Sequence, residues 1–295
     1  GCTDMDQPVV VPAIADAGAD KSICQGSSGV QIGTTPVATP NVTYSWSLAN
    51  GTPATALSGT NCAQPTASPA IATSYVLTMT VNRKNNSTCS STDTVIVTPV
   101  TAPNGTLAFA GTDKTICRGT TTVLGGTNDP TFTYNWAPGQ YLSNSIVSNP
   151  TFNPGTIPVN CSKVYQATAT KNGCSFTDDV KVTVVNSGIT YEGENKCGPL
   201  WIGQAGGSNC VGATYSWSVV NGTGTILQTA NDSASAYLFT PSGTTTFRRT
   251  TTVNGIACSA DVQVSACGTG PVCDFNIVTL SSQKCPKVFG PGGSF

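Results

Sequence analysis

One short stretch occurs three times, and its placement between cysteines limits what the chain can fold into. Thr43-Tyr44-Ser45-Trp46-Ser47 returns as Thr133-Tyr134-Asn135-Trp136 and again as Thr214-Tyr215-Ser216-Trp217-Ser218. Each copy lies between two cysteines: Cys24 and Cys89, then Cys117 and Cys174, then Cys197 and Cys258. The tryptophans are 90 and 81 residues apart, and the second cysteines of each set 85 and 84 apart. A period of roughly 85 residues is too long for a solenoid repeat and suits a small β-sandwich. Within each copy Tyr and Trp point one way and the small polar residue the other, the pattern of a strand with one dry and one wet face.

The rest of each repeat follows the same plan. In the first, Tyr75, Leu77, Met79 and Val81 share one face of a strand over 74–81, and Val95 and Val97 share one over 93–97. Asn82-Arg83-Lys84-Asn85-Asn86 is the loop of a hairpin between them. Ala110-Gly111-Thr112-Asp113-Lys114-Thr115-Ile116-Cys117 repeats Ala17-Gly18-Ala19-Asp20-Lys21-Ser22-Ile23-Cys24 almost residue for residue. The third repeat lacks that lead-in but keeps Tyr215, Trp217 and a closing hairpin around Asn254-Gly255. No amphipathic helix is found. The predicted architecture is all-β: an arm (1–12), three tandem sandwiches (13–105, 106–186 and 187–267) and a C-terminal tail (268–295).

Thirteen cysteines in a chain with 9% charged residues do not suit a reducing compartment. Without histidine or a Cys-x-x-Cys, thiolate–metal sites are disfavoured and disulfides expected. The repeated arrangement pairs Cys24 with Cys89, Cys117 with Cys174 and Cys197 with Cys258. Each bond would close a loop of roughly 60 residues and stabilise its repeat by about 4 kcal/mol in the chain-entropy model. Cys2, Cys62, Cys161, Cys210, Cys267, Cys273 and Cys285 stay unassigned, and the odd total leaves one thiol free or bonded to another chain.

The charges, 13 basic and 14 acidic, are scattered singly, so no basic stripe exists for nucleic acid and no partner of that kind is expected. No apolar run is long enough to span a bilayer, so no membrane insertion is expected. Val9, Val10 and Val11 lie between prolines and suit an edge strand, either a plain linker or an arm pairing with a neighbouring molecule. Phe275 and Ile277 lie in a strand-like run of the tail, which either folds back on the third repeat or completes a sheet in another copy. Cys2 and Cys285 in the two arms are candidates for a bond between successive molecules. A processed lipoprotein would begin at the cysteine itself, so Gly1-Cys2 does not fit lipidation.

Together, the Ala-Gly-x-Asp-Lys lead-in, the Tyr-x-Trp strand, the Gln64-Pro65-Thr66 and Asn149-Pro150-Thr151 stretches and the closure Gly173-Cys174-Ser175-Phe176-Thr177-Asp178 resemble the Ig-like and PKD-like repeats of large Bacteroidota surface proteins. Such repeats occur in gliding-motility adhesins and other cargo of the type IX secretion system. The resemblance covers about 13–186 well and 187–267 more loosely. It implies an immunoglobulin-like sandwich and an extracellular, non-catalytic role. The O-glycan acceptor pattern of that group, Asp-Ser/Thr-apolar, is matched at Thr94 (after Asp93) and at Ser233 (after Asp232).

Candidates for chemistry are few. Asp178-Asp179 and Glu192/Glu194 are the acidic pairs, and both suit solvated surface better than a cleft. Asp16 and Asp20 are too few for a calcium cage. Trp46, Trp136 and Trp217 occupy the core-anchor position of an Ig-like sandwich, which leaves Trp201 as the aromatic for ligand contact. No cofactor and no enzymatic activity are expected. The chain is expected to be a structural or adhesive subunit of an extracellular bacterial surface filament, with itself as main partner. The alternative is a module of a larger secreted protein that binds surface glycans or other cell-surface proteins.

Overall fold

The structure, a computed structural model, describes residues 14–37, 41–82, 87–155, 161–189, 200–202, 210–229 and 234–266. Cys2, Val9, Val10, Val11, Glu192, Glu194, Cys197, Ser233, Cys267, Cys273, Phe275, Ile277 and Cys285 lie outside the described residues, as does the hairpin loop at 83–86. The chain divides into two compact units, Gly1–Thr183 and Val184–Phe295. The first contains two of the sequence repeats and the second the third.

In the first repeat β1 (Lys21–Cys24), β2 (Val30–Gln31), β3 (Val42–Leu48), β4 (Thr66–Ala67), β5 (Thr73–Asn82) and β6 (Thr88–Val100) form two facing sheets. The larger has the order β1-β6-β5-β3, and β2 pairs with β4 in the smaller. The β5–β6 hairpin runs antiparallel from Thr73↔Val97 to Asn82↔Thr88. β1 instead runs parallel to the far end of β6, from Lys21↔Val97 to Cys24↔Val100. The period-two pattern buries Tyr75, Leu77, Met79, Val95 and Val97 against Trp46, Ile32 and Ala67. Val81 and Tyr44 are half-buried beside them.

The second repeat reproduces this with β7 (Lys114–Cys117), β8 (Thr122–Val123), β9 (Thr133–Ala137), β10 (Thr151–Phe152), β11 (Ser162–Lys171) and β12 (Cys174–Val185). Its sheets are ordered β7-β12-β11-β9 and β10-β8. Here Ala167 and Ala169 stand where the first repeat has Leu77 and Met79. This repeat's core also holds two edge-on aromatic pairs. Phe152 packs edge-on to Tyr165 at 5.5 Å, and Phe132 edge-on to Phe176 at 6.2 Å.

In the second unit β14 (Thr214–Asn221), β17 (Thr244–Val253) and β18 (Ile256–Ser265) form one sheet. β13 (Leu200–Ile202), β16 (Ala236–Phe239) and β15 (Thr225–Thr229) form the other. Ile202, Leu238, Phe247 and Val264 are buried at the centre. Among the described residues there is no α-helix; a single 3-10 turn covers Pro103–Gly105. The architecture is that of all-β, tandem immunoglobulin-like sandwiches.

One expectation fails in this unit. Trp46 and Trp136 are fully buried, but Trp217 is half-buried at the margin of its core. The place beside it is taken by Arg249, which is 0% exposed. The third tryptophan therefore does not occupy the same environment as the first two.

Candidate functional site

The cysteines depart from the expected pairing. Cys24 bonds to Cys174, with Cα atoms 5.4 Å apart and a sequence separation of 150 residues. This replaces both Cys24–Cys89 and Cys117–Cys174. Strand direction gives the reason. Because β1 is parallel to β6, Cys24 ends level with Val100, whereas Cys89 sits at the start of β6 opposite Val81. Cys89 and Val100 are eleven steps apart along β6, about 36 Å at a rise of about 3.3 Å per residue. A disulfide bridges Cα atoms only about 4–7 Å apart. Cys24 and Cys89 therefore lie at opposite ends of the first repeat. Cys24 reaches Cys174 instead, at the tip of the β11–β12 hairpin, where Lys171 faces Cys174.

Cys89, Cys117 and Cys258 are each half of a disulfide, as are Cys161 and Cys210, which the sequence left unassigned. Cys62 is free and exposed. Its carbonyl has a structural task, accepting a hydrogen bond from Trp46 Nε1 at 2.9 Å. Val147 does the same for Trp136 Nε1 in the second repeat, also at 2.9 Å.

Of the carboxylates singled out in the sequence, Asp16, Asp20 and Asp178 accept hydrogen bonds from backbone N–H groups, and Asp93 and Asp113 do the same. Asp93 lies on the core-facing side of β6, opposite Leu77, and its Oδ2 accepts a bond from Ala17 N at 2.8 Å. Asp20 answers from the lead-in, its Oδ1 accepting from Ile96 N at 2.8 Å. The second repeat has the same reciprocal clasp: Asp178 Oδ2 accepts from Ala110 N at 2.6 Å, and Asp113 Oδ1 from Lys181 N at 2.9 Å. Each clasp ties the chain entering a repeat to that repeat's last strand and satisfies donors the sheet leaves unpaired. Asp178 is therefore not a solvated surface group, although its neighbour Asp179 is exposed. Asp16 is exposed, and its Oδ1 accepts from Gly18 N.

The third repeat does this job with the opposite charge. Ala260 stands across from Arg249, where Asp93 faces Leu77 and Asp178 faces Ala167. Arg249 donates from Nη1 to Ala234 O at 2.9 Å and from Nη2 to Gly188 O at 2.6 Å and Ser187 O at 3.3 Å. Its guanidinium lies 5.6 Å from the Tyr215 ring centre and 5.9 Å from that of Trp217. Burial pushes its pKa below the usual arginine value, with the Tyr215 hydroxyl acting the other way. The sequence shows Arg249 only as one of a pair, Arg248-Arg249, in a strand. Arg248 faces solvent and forms a forked ion pair with Asp261, with Nε to Oδ1 at 2.7 Å.

Thr94 is exposed on the outer side of β6, opposite Val76, one residue from the Asp93 clasp. Trp201 lies in β13 opposite Tyr237. Among the described residues no cluster of three or more His, Cys, Asp or Glu side chains could hold a metal ion. Among the described residues no helix is long and apolar enough to cross a membrane.

No family model matches the chain. No curated protein matches it either. Among solved structures it is similar to a titin I-band fragment, I67–I69, at 13% identity, covering 86% of this chain and 98% of that one with a TM-score of 0.38. Human CDH23 EC21–23 gives 14% identity, 85% and 99% coverage and a TM-score of 0.32. Extracellular domains 3–5 of Drosophila OTK give 13% identity, 86% and 96% coverage and a TM-score of 0.27.

Proposed function

We propose that this chain is a non-catalytic structural and adhesive subunit of an extracellular bacterial surface filament, joined to further copies through its terminal strands. The observation that carries this reading is the Cys24–Cys174 bond, a covalent tie between successive repeats rather than a staple within one. A binding module needs only folded domains; a bond between domains adds resistance to bending and tension. The carboxylates at Asp20, Asp93, Asp113 and Asp178 serve the same end, fastening strands instead of facing a cleft. Disulfides suit an oxidising, extracellular setting. The resemblance of the repeats to those of Bacteroidota surface proteins supports a place on a bacterial surface.

Negative-stain microscopy of the purified chain tests this. Ordered fibres that persist under non-reducing conditions support the filament, and uniformly monomeric particles sink it. Thr94, exposed beside the Asp93 clasp, is the described candidate for O-glycan attachment, and intact mass of the native protein reads it directly.

A second reading rests on the outward face of the larger sheet in the first repeat. Thr43, Ser45, Thr92 and Thr94 are exposed there, an array of hydroxyls suited to sugar. Affinity for surface glycans by discrete, unassembled particles would favour a binding module of a larger secreted protein.

A further inference from the structure

We propose that the Cys24–Cys174 disulfide is a mechanical bypass, which lets tension cross the first unit without extending the two repeats enclosed between these cysteines. The bond joins residues 150 apart, and β2 to β11 all lie inside the loop it closes. Outside it, the first unit keeps only the residues leading through β1 to Cys24 and those leaving along β12 from Cys174. A pull on the two flanks can strip β1 and the start of β12 from their sheets, but the covalent bridge then stops it before the strands between them extend.

The geometry that creates this bridge is particular to how the strands run. β1 is parallel to β6, so Cys24 is carried to the end of the first repeat from which the chain leaves for the second. Cys174 is the first residue of β12, at the hairpin tip. Pairing within each repeat would protect two separate loops and leave the joint at 101–113 under load. The observed pairing encloses that joint as well. Even if both sandwiches unfolded, the tether could not lengthen by the enclosed chain.

The bypass goes beyond the filament reading and does not depend on it: a chain that forms no fibres can still show it, and fibres can form without it. The test is single-molecule stretching of the full chain between click-reactive residues placed at the exposed positions of Ile14 and Lys181. With the disulfide intact, the expected gain between the handles stays below about 60 Å, the reach of the short flanks. The double variant Cys24→Ser/Cys174→Ser gains hundreds of ångströms more, up to about 500 Å from about 150 enclosed residues at about 3.5 Å each, less the chain that the disulfides of Cys89, Cys117 and Cys161 still hold. A second variant does not require folding without the bond: about twenty Gly/Ser residues inserted at the exposed turn Asn50-Gly51 of the native protein. That insertion leaves the stretched length unchanged if the bypass operates. An insertion that lengthens the native trace, or a native trace that itself extends by hundreds of ångströms, overturns the proposal. So does non-reducing peptide mapping that finds Cys24 bonded to any cysteine other than Cys174.

Discussion

Trp217 faces Arg249 directly across the β14–β17 ladder, where Trp46 faces Leu77 and Trp136 faces Ala167 in the first two repeats. The third repeat has thus exchanged an apolar core residue for a buried cation and recruited aromatic faces and carbonyls to hold it. Truncating such a group leaves a cavity and strands the acceptors at Ala234, Ser187 and Gly188. Arg249→Ala is expected to destabilise the second unit by about 3–5 kcal/mol. Arg249→Leu refills the apolar volume but not the hydrogen bonds, and recovers part of the loss. Hydrogen exchange of the β17 amides, read beside a denaturant titration, checks both. An Ala variant with unchanged protection would show the guanidinium to be dispensable.

Asp178 and Asp179 are chain neighbours with opposite fates. The first accepts the Ala110 N–H from the core-facing side of β12, and the second lies in solvent. Removing a charged acceptor from a half-buried donor costs about 1.5–3 kcal/mol. Asp178→Ala is expected to lower stability by that amount, and Asp179→Ala to stay within about 0.5 kcal/mol. Urea midpoints of the two variants, measured side by side, decide. Equal effects would contradict the clasp.

Much of the fold could be read from period and alternation. Tyr75, Leu77, Met79, Val95 and Val97 are buried where the two-residue pattern puts them, because a half-wet strand allows no other register. The disulfide was not legible. The recurring placement of two cysteines around each Tyr-x-Trp stretch suggests pairing within the repeat, and only the direction of β1, set by contacts far apart in sequence, places Cys24 at the opposite end from Cys89. The Asp clasps were half legible: Ala-Gly-x-Asp-Lys occurs twice, yet nothing local says that Asp20 answers Asp93 across the sheet. Arg249 was hidden by its neighbour, since two arginines in a strand read as surface until one knows which faces inward.

Gly33 shows a constraint of another kind. Its φ is +80°, and a Cβ there would lie 2.0 Å from Ala63 O. Gly125 repeats the geometry at φ +84°, with Ser148 O at 2.2 Å. Gly26 has a similar φ of +85° but open space around it. Gly26→Ala is expected to cost about 1 kcal/mol, the backbone strain alone. Gly33→Ala must also displace a backbone carbonyl, and a loss of more than about 3 kcal/mol is expected. Thermal unfolding of the two variants separates strain from collision. Matching melting temperatures would mean the Ala63 loop yields freely.

Tyr165 supplies a pH test of the second repeat's core. Its side chain is fully buried, its hydroxyl donates to Gln140 O at 2.9 Å, and burial, with the charge of Tyr141 adding to it, pushes its pKa up to about 12. The unfolded chain releases this proton near pH 10, the ordinary tyrosine value. Between those values the unfolded state binds fewer protons than the folded one, so stability falls as pH rises. The contribution is whole below about pH 10 and is lost progressively towards pH 12, on the order of 2–3 kcal/mol in all. Tyr165→Phe has no proton to lose. It is expected to be less stable at pH 7 by about 1 kcal/mol for the missing hydrogen bond. Its stability should then decline between pH 10 and 12 with a slope shallower by about one proton. Tyr75 and Tyr134, also raised by burial, keep the remaining slope from vanishing. Denaturant titrations across that range, with Cys62 alkylated to prevent thiol exchange, give both slopes. Parallel slopes for the two proteins would place the Tyr165 ring in contact with water.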